Sequence, residues 1–266
     1  MEAPIITLTT DWGNKDYFAG IVKGKLYSSI PNLRVVDISH GIEPYNLFSA
    51  AFVVKHGCLG FPPGTIHIID VDSVETADRS FIVAEYMQQY FICTDNGLPD
   101  IVFGGQCTRI VELSVPQESN FYTFAAYHLF CNVATLIAQG TPLEQLGRTK
   151  QQLNPNTKVG YLEQGNRLVA YIIHIDSYGN AYLNITLDEF EAIRAGRNFT
   201  VNIHNSNNER IHRISDSYLS ITPDNQHTGL ILTVSATGLL EIAICHDSAE
   251  QYLALSEMKK IEFLFA

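Results

Sequence analysis

The sequence predicts an α/β amino-terminal domain with a largely parallel sheet, followed by an all-β, barrel-like carboxy-terminal domain. Up to residue 150, strand-like runs alternate with helix-compatible stretches, which argues for helices on the faces of a parallel sheet. Periodicity then lapses over the polar, proline-containing "KQQLNPNTK" (150–158). Beyond it the pattern is β-rich, with turns at short intervals. The expected domains are therefore 1–150 and 159–266, with a linker between them.

The first strand is read at "IITLTT" (5–10), a short run dominated by β-branched residues. A helix follows over Asp16–Ile30, then a strand at "LRVVDIS" (33–39) and a helix over Leu47–Gly57. Strands at "TIHIIDVD" (65–72), "SFIVAEY" (80–86) and "YFICTD" (90–95) come next, with "SVETADRS" (73–80) as a polar loop. In "TFAAYHLFCNVATLIAQG" (123–140) apolar residues recur at helical spacing, and Gly140-Thr141-Pro142 is a helix stop. After the linker, strands are read at "RLVAYIIHID" (167–176), "NAYLNIT" (180–186), "NFTVNIH" (198–204) and "GLILTVSATGLLEIAI" (229–244). The sequence carries no internal repeat and no low-complexity tract.

A formal net charge of −11 repels nucleic-acid phosphates and suits cationic small molecules. Only 17% of residues are charged, low for a soluble surface, which points to burial by self-association. No run of 18 apolar residues and no charged leader before an apolar stretch is found, so a soluble, cytoplasmic chain without membrane contact is expected. Cys58, Cys93, Cys107, Cys131 and Cys245 are scattered without CxxC spacing, as expected of thiols in a reducing compartment and not of a disulfide framework or zinc site. GxGxxG, Walker-type GK[ST], GxSxG and HExxH are also absent, so neither a metal nor a cofactor is expected.

Where a phosphate-binding fold would place glycines after its first strand, "TTDWGNKD" places Asp11 and Asp16. An acid at that strand end can accept from two ribose hydroxyls, or it can cap the following helix. "VVDISHGIEPYN" sets Asp37 and His40 after a strand, as a catalytic pair or a loop brace, with Tyr45 as an aromatic wall. "IIDVDSVETADR" carries Asp70 and Asp72, then Arg79; an acid and a guanidinium on two lips of one loop can fix a water, or form a structural ion pair. "CTDNGL" (Asp95, Asn96, Gly97) is a turn signature first. "HIDSYGNAYLNI" gathers Asp176, Tyr178 and Asn180 around Gly179, either as a purine-reading group or as a hairpin turn.

Taken in order, these phrases together with "FPPGTIHIIDVD" and "SATGLLEIA" resemble the S-adenosyl-L-methionine (SAM) hydroxide adenosyltransferases, or SAM hydrolases, relatives of the fluorinase and chlorinase. The resemblance implies hydrolysis of SAM to adenosine and L-methionine by water or hydroxide attacking the ribose C5′, with SAM as substrate and no cofactor. It implies a homotrimer, or a dimer of trimers, with SAM at subunit interfaces, and a ribose and water site in the first domain. By the same resemblance Asp11 grips the ribose hydroxyls, Asp16 the methionine amine, and Tyr45 walls the ribose. Asp176 meets the methionine ammonium, while Asn180, with Tyr178 and Tyr218, handles adenine in the second domain.

Hydrolytic members resemble one another in an Asp/Arg/His set that holds the water. Asp72 and Arg79 keep the seven-residue spacing of the first two. The family's Thr-Phe-His-Gly-Arg-Asp reads "TFAAYH" here, so Ala125 occupies the histidine slot and His128 lies about one helical turn on. His128 is carried forward as the third catalytic candidate, with a packed helix histidine as the alternative. The loop Ser73-Val74-Glu75-Thr76 replaces the family's Pro-Gly-Val-Gly, Ala236 and Thr237 replace a serine pair, and Cys245 replaces an asparagine. Halide-using relatives carry Tyr and Thr in place of the Asp and Arg, so Asp72 and Arg79 read as hydrolytic. The alternatives are a non-catalytic binder of SAM or adenosine, motivated by Ala125, and hydrolysis of another 5′-substituted adenosine.

Overall fold

The computed structural model describes residues 3–116, 123–156, 159–203, 210–219 and 228–266. The chain divides into two compact units, Met1–Thr157 and Lys158–Ala266.

The first unit runs β1 (Ile5–Thr10), α1 (Phe18–Ser29), β2 (Arg34–Ser39), α2 (Leu47–Gly57), β3 (Ile66–Asp70), β4 (Phe81–Tyr86), β5 (Gln89–Thr94), α3 (Leu98–Phe103) and β6 (Arg109–Leu113). A π-helical turn, Ala126–Phe130, then leads into α4 (Cys131–Ala138), and β7 (Gly147–Thr149) closes the unit. The strands form one sheet in the order β2-β1-β3-β5-β4-β6-β7.

This sheet is mixed and not largely parallel. β1 pairs with β2 and β3 in parallel, as β3 does with β5, but β4–β5, β4–β6 and β6–β7 are antiparallel. The physical reason is connection length. Met87 and Gln88 alone join Tyr86 to Gln89, and both take left-handed backbone (φ 50° and 60°), the geometry of a tight hairpin. A parallel neighbour needs a crossover of roughly a dozen residues or more.

Strand alternation builds two cores, one on each face. Ile68, Val83 and Ile92 point into a layer with Val22 and Leu26 of α1 and with Phe130, Val133 and Ala134. Their neighbours Ile69, Ile82, Ala84, Phe91 and Cys93 face Ala50, Ala51 and Val54 of α2 and Val102 and Phe103 of α3. The first unit is therefore a helix–sheet–helix sandwich. Residues 150–156, expected as linker, are folded onto it: Lys150 Nζ lies 2.5 Å from the buried Asp95 carboxylate, and the Asn154 backbone N–H reaches both Asp95 oxygens at 3.0 Å.

The second unit contains β8 (Leu162–Gln164), β9 (Arg167–Ile175), β10 (Ala181–Thr186), α5 (Leu187–Arg194), β11 (Phe199–Asn202), β12 (Arg210–Ile211), β13 (Ile214–Ser215), β14 (Leu230–Val234), β15 (Leu239–Ile244), α6 (Ala249–Leu253) and β16 (Lys260–Phe265). The strand read at 198–204 stops at Asn202, and His204 lies outside the described residues. The unit is not all-β. Thr186 and Glu189 form a reciprocal capping box that starts α5 straight off β10, and the Ser248 side chain caps α6.

The sheet follows the order β12-β11-β16-β9-β10-β15-β14-β13, with β8 added to β9, and curls as a half-barrel. Its inner face is apolar by strict alternation: Leu168, Ala170 and Ile172 on β9, Ala181, Leu183 and Ile185 on β10, Leu240, Ile242 and Ile244 on β15. Tyr182 and Glu241, which fall between these residues, therefore lie on the opposite face.

Candidate functional site

In the first unit the candidates gather at the carboxyl ends of the parallel strands β1, β2 and β3, the end where open α/β sheets bind ligands. Asp11 follows β1. Its Oδ2 accepts the backbone N–H of Tyr45 at 3.1 Å and that of Asp72 at 3.3 Å, so one carboxylate joins three loops. Both donors have left-handed backbone, φ 68° at Tyr45 and 48° at Asp72, which costs a non-glycine residue about 1 kcal/mol each. The Asp11 bonds help hold that strain.

Asp72 Oδ2 accepts from Arg79 Nη1 at 2.8 Å. The loop between them is pinched by paired backbone bonds between Thr76 and Arg79. From beneath, Asn96 Nδ2 donates to the carbonyls of Val71 (3.0 Å) and Asp72 (3.2 Å), so the "CTDNGL" turn braces the acid's backbone. Arg79 keeps 40% of its side chain exposed and Asp72 20%, leaving the pair open to a ligand.

Asp70, two residues before, is 5% exposed and accepts from Trp12 Nε1 at 2.9 Å. Burial first, then the nearby Asp11 charge, push its carboxyl up to about 6 against the opposing bond from Trp12. Asp37 and His40 form a brace. Lys23 Nζ meets Asp37 at 2.5 Å, Asp37 meets His40 Nε2 at 3.2 Å, and His40 Nδ1 meets Thr10 Oγ1 at 2.7 Å. Burial alone would raise the Asp37 carboxyl, but Lys23 and then His40 together hold it below the usual range.

The side chains of the remaining first-unit candidates take no part in these bonds. Asp16 is exposed in the loop before α1, and Tyr45 is 72% exposed. Ala125 is 7% exposed and belongs to the core on the α4 side of the sheet, next to Phe124, whose ring meets Trp12 edge-on at 5.1 Å. His128 lies within the π-helical turn, half-buried, with its ring edge-on to Tyr127 at 5.1 Å.

In the second unit Asp176, Tyr178, Asn180 and Tyr218 line one cavity of about 670 Å³, together with Tyr182, Leu219, Ile244, Cys245, His246 and Asp247. Asp176 directly follows β9 and organises the turn. Its Oδ1 accepts the N–H groups of Tyr178 (2.9 Å) and Asn180 (3.0 Å), and its Oδ2 accepts from Asn180 Nδ2 (3.2 Å) and Tyr182 Oη (3.3 Å). Gly179 is required there: φ is 80°, and a Cβ would stand 2.0 Å from Ser248 Oγ. Tyr178, 80% exposed, and Tyr218, 46% exposed, offer aromatic faces.

Reading the sequence missed Tyr182 and Glu241. Glu241 is fully buried, and Tyr218 Oη donates to its Oε1 at 2.9 Å. The signal was a lone glutamate inside the apolar run "LLEIAI", since a buried unpaired carboxylate is costly to keep. Burial pushes the Tyr218 hydroxyl up to about 12, with Glu241 adding to it. Among the described residues no group of three or more His, Cys, Asp or Glu is placed to hold a metal, and no helix is long and apolar enough to cross a membrane.

Comparison with known proteins accounts for both units. Residues 6–147 match the SAM hydroxide adenosyltransferase N-terminal domain and residues 170–262 the C-terminal domain. The chain is 26% identical over 267 aligned residues to an (R)-S-adenosyl-L-methionine hydrolase of Methanocaldococcus jannaschii, covering 98% of this chain and 96% of that one. It is 25% identical to a protein of the same name from Salinispora arenicola, covering 96% and 95%. A solved structure of an uncharacterized conserved protein from Thermotoga maritima superposes with a TM-score of 0.87 at 25% identity, over 97% of this chain and 99% of that one.

Proposed function

The chain belongs to the SAM hydroxide adenosyltransferase family, and we propose on that footing that it hydrolyses SAM to adenosine and L-methionine. One observation carries the reading: Asp11, the ribose candidate, is bonded directly to the backbone of Asp72, the water candidate, which is paired with Arg79. A ribose held by Asp11 thus brings its C5′ to the loop that holds the oxygen nucleophile. Both Asp11 bonds fall on Oδ2, so Oδ1 keeps acceptor capacity for the ribose hydroxyls.

In the proposed step, water oxygen forms a bond to C5′ as the C5′–S bond breaks. The bonding pair moves to sulfur, which leaves as a neutral thioether, and the water proton passes to solvent. The leaving group needs no acid, so catalysis reduces to holding the nucleophile in line and away from bulk water. Asp72 accepts a hydrogen bond from that water and Arg79 fixes Asp72. Asp16 takes the methionine amine, Tyr45 covers the ribose, and His128 is the remaining candidate for the water shell.

Asp176, Asn180, Tyr178 and Tyr218 supply the ammonium and adenine contacts in the second unit. We propose that the two groups act on one ligand at the interfaces of a homotrimer or of a dimer of trimers, in the cytoplasm, without a cofactor. The test is a chromatographic time course of purified protein with excess SAM, scored for adenosine and methionine. Multiple turnovers that vanish in Asp72→Asn support the reading, and stoichiometric recovery of intact SAM sinks it. The second reading, a SAM or adenosine binder, is favoured by Ala125, an apolar core residue at the histidine slot.

A further inference from the structure

Among the described residues, Glu241 is the buried carboxylate beside the second-unit cavity that the proposed chemistry leaves unused. It sits on β15 directly opposite Tyr182 of β10, on the face away from the apolar core. Oε1 accepts the Tyr218 hydroxyl at 2.9 Å, whereas Oε2 is buried without a hydrogen-bond partner among the described residues. Tyr182 in turn donates to Asp176. The array Asp176–Tyr182 and Glu241–Tyr218 therefore holds two carboxylates and two phenols, and among the described residues no lysine or arginine lines the cavity they border.

An unpartnered, buried carboxylate oxygen is costly unless something balances it. Burial, then the charge of Asp176, raise the Glu241 carboxyl, while the Tyr218 bond lowers it. A positive charge entering the cavity offsets the same repulsion. We propose that Glu241 is a positioning residue that pins the Tyr218 wall of the cavity and, with Asp176, makes that wall selective for a cationic ligand over its neutral isostere. The identity of that ligand class, an adenosine bearing a cationic 5′ substituent, rests on the function proposed above.

The titratable groups facing Glu241 are Tyr182 and Asp176 from the β9–β10 turn side and Tyr218 from the segment after β13, with His174 of β9 beside Asp176. Two stable probes separate charge from shape. Sinefungin carries an amine in place of the methylsulfonium and is cationic there; S-adenosyl-L-homocysteine is a neutral thioether at that position. Calorimetric binding of both is measured at pH 7 on wild-type protein, Glu241→Gln and Tyr218→Phe.

Glu241→Gln keeps an acceptor for Tyr218 but removes the charge, and is expected to weaken sinefungin about tenfold and adenosylhomocysteine less than twofold. Tyr218→Phe removes the pin and weakens both ligands by a similar factor. Sinefungin affinity rises with pH as Glu241 ionises, and Glu241→Gln flattens that rise, which a purely structural role would not produce. Equal loss of both ligands in Glu241→Gln, or no loss, overturns the inference alone. Failure of the wild-type protein to bind either probe overturns the nucleoside reading and this inference with it.

Discussion

The two groups of candidate residues are built by opposite means. In the first unit the acids are held through backbone: Asp11 grips two N–H groups, Asn96 grips two carbonyls, and Asp72 and Tyr45 sit in left-handed conformations that few residues adopt willingly. In the second unit the polar groups are held through side chains standing on adjacent strands, Tyr182 across from Glu241 and Asp176 at the strand end. Backbone clamping fixes a position but tolerates little change of loop. Side-chain pairing on a ladder adjusts charge and shape by single substitutions. This division suits the proposed roles, a reaction step in the first unit and ligand selection in the second.

The sharpest way to break that comparison is Asp72→Asn. It is expected to lower SAM turnover on the order of 100-fold while leaving binding of sinefungin within about twofold; unchanged turnover would remove the first unit from the chemistry. Next comes Asp70. Its carboxyl keeps its proton up to about 6 in the folded chain, above the ordinary 3.8. The native state therefore binds more protons than the unfolded one across that window, and stability falls as pH rises from 3.8 to about 6. Asp70→Asn should remove that slope and stabilise the protein at pH 7 by on the order of 3 kcal/mol. Urea titrations at a series of pH values check this, and an unaltered slope would assign the proton elsewhere.

Gly179→Ala probes the second unit. The added Cβ meets Ser248 Oγ and the backbone is left-handed, so a loss of about 2 kcal/mol of stability is expected, with weaker nucleoside binding and a full catalytic rate at saturation. A fall in kcat instead of a rise in KM would show that this turn contributes to the chemistry. The smallest expected effect is that of Asn96→Ala. Losing two bonds to the Asp72 loop should reduce kcat severalfold and stability by about 1 kcal/mol, with affinity unchanged.

Most strands and the first two helices were legible because their apolar residues repeat at the period their geometry demands. The β4–β5 hairpin was not, because Met87-Gln88 carries no glycine or asparagine to announce a left-handed turn. Helix α5 hid behind a β-rich neighbourhood although Thr186 and Glu189 spell a capping box. Residues 150–156 read as a polar linker because what holds them, the buried Asp95, lies far away in sequence. Short phrases singled out Asp11, Asp72, Arg79 and Asp176 as candidates, and the structure places Asp11 in bond contact with Asp72 and Asp72 with Arg79. Tyr182 and Glu241 were obscured because their importance arises only when two strands pair.

Trp12 is the chain's single tryptophan, and its indole stacks on His40, meets Phe124 edge-on and donates to Asp70. The protein therefore carries its own optical reporter beside Asp70 in the first unit. Intrinsic emission, excited selectively at the indole, follows the Asp70 proton during a pH titration and, under the proposed function, the arrival of a nucleoside at Asp11, with no dye attached. Tyrosine-rich surroundings in the second unit stay dark at that wavelength, so the signal reports the first unit alone.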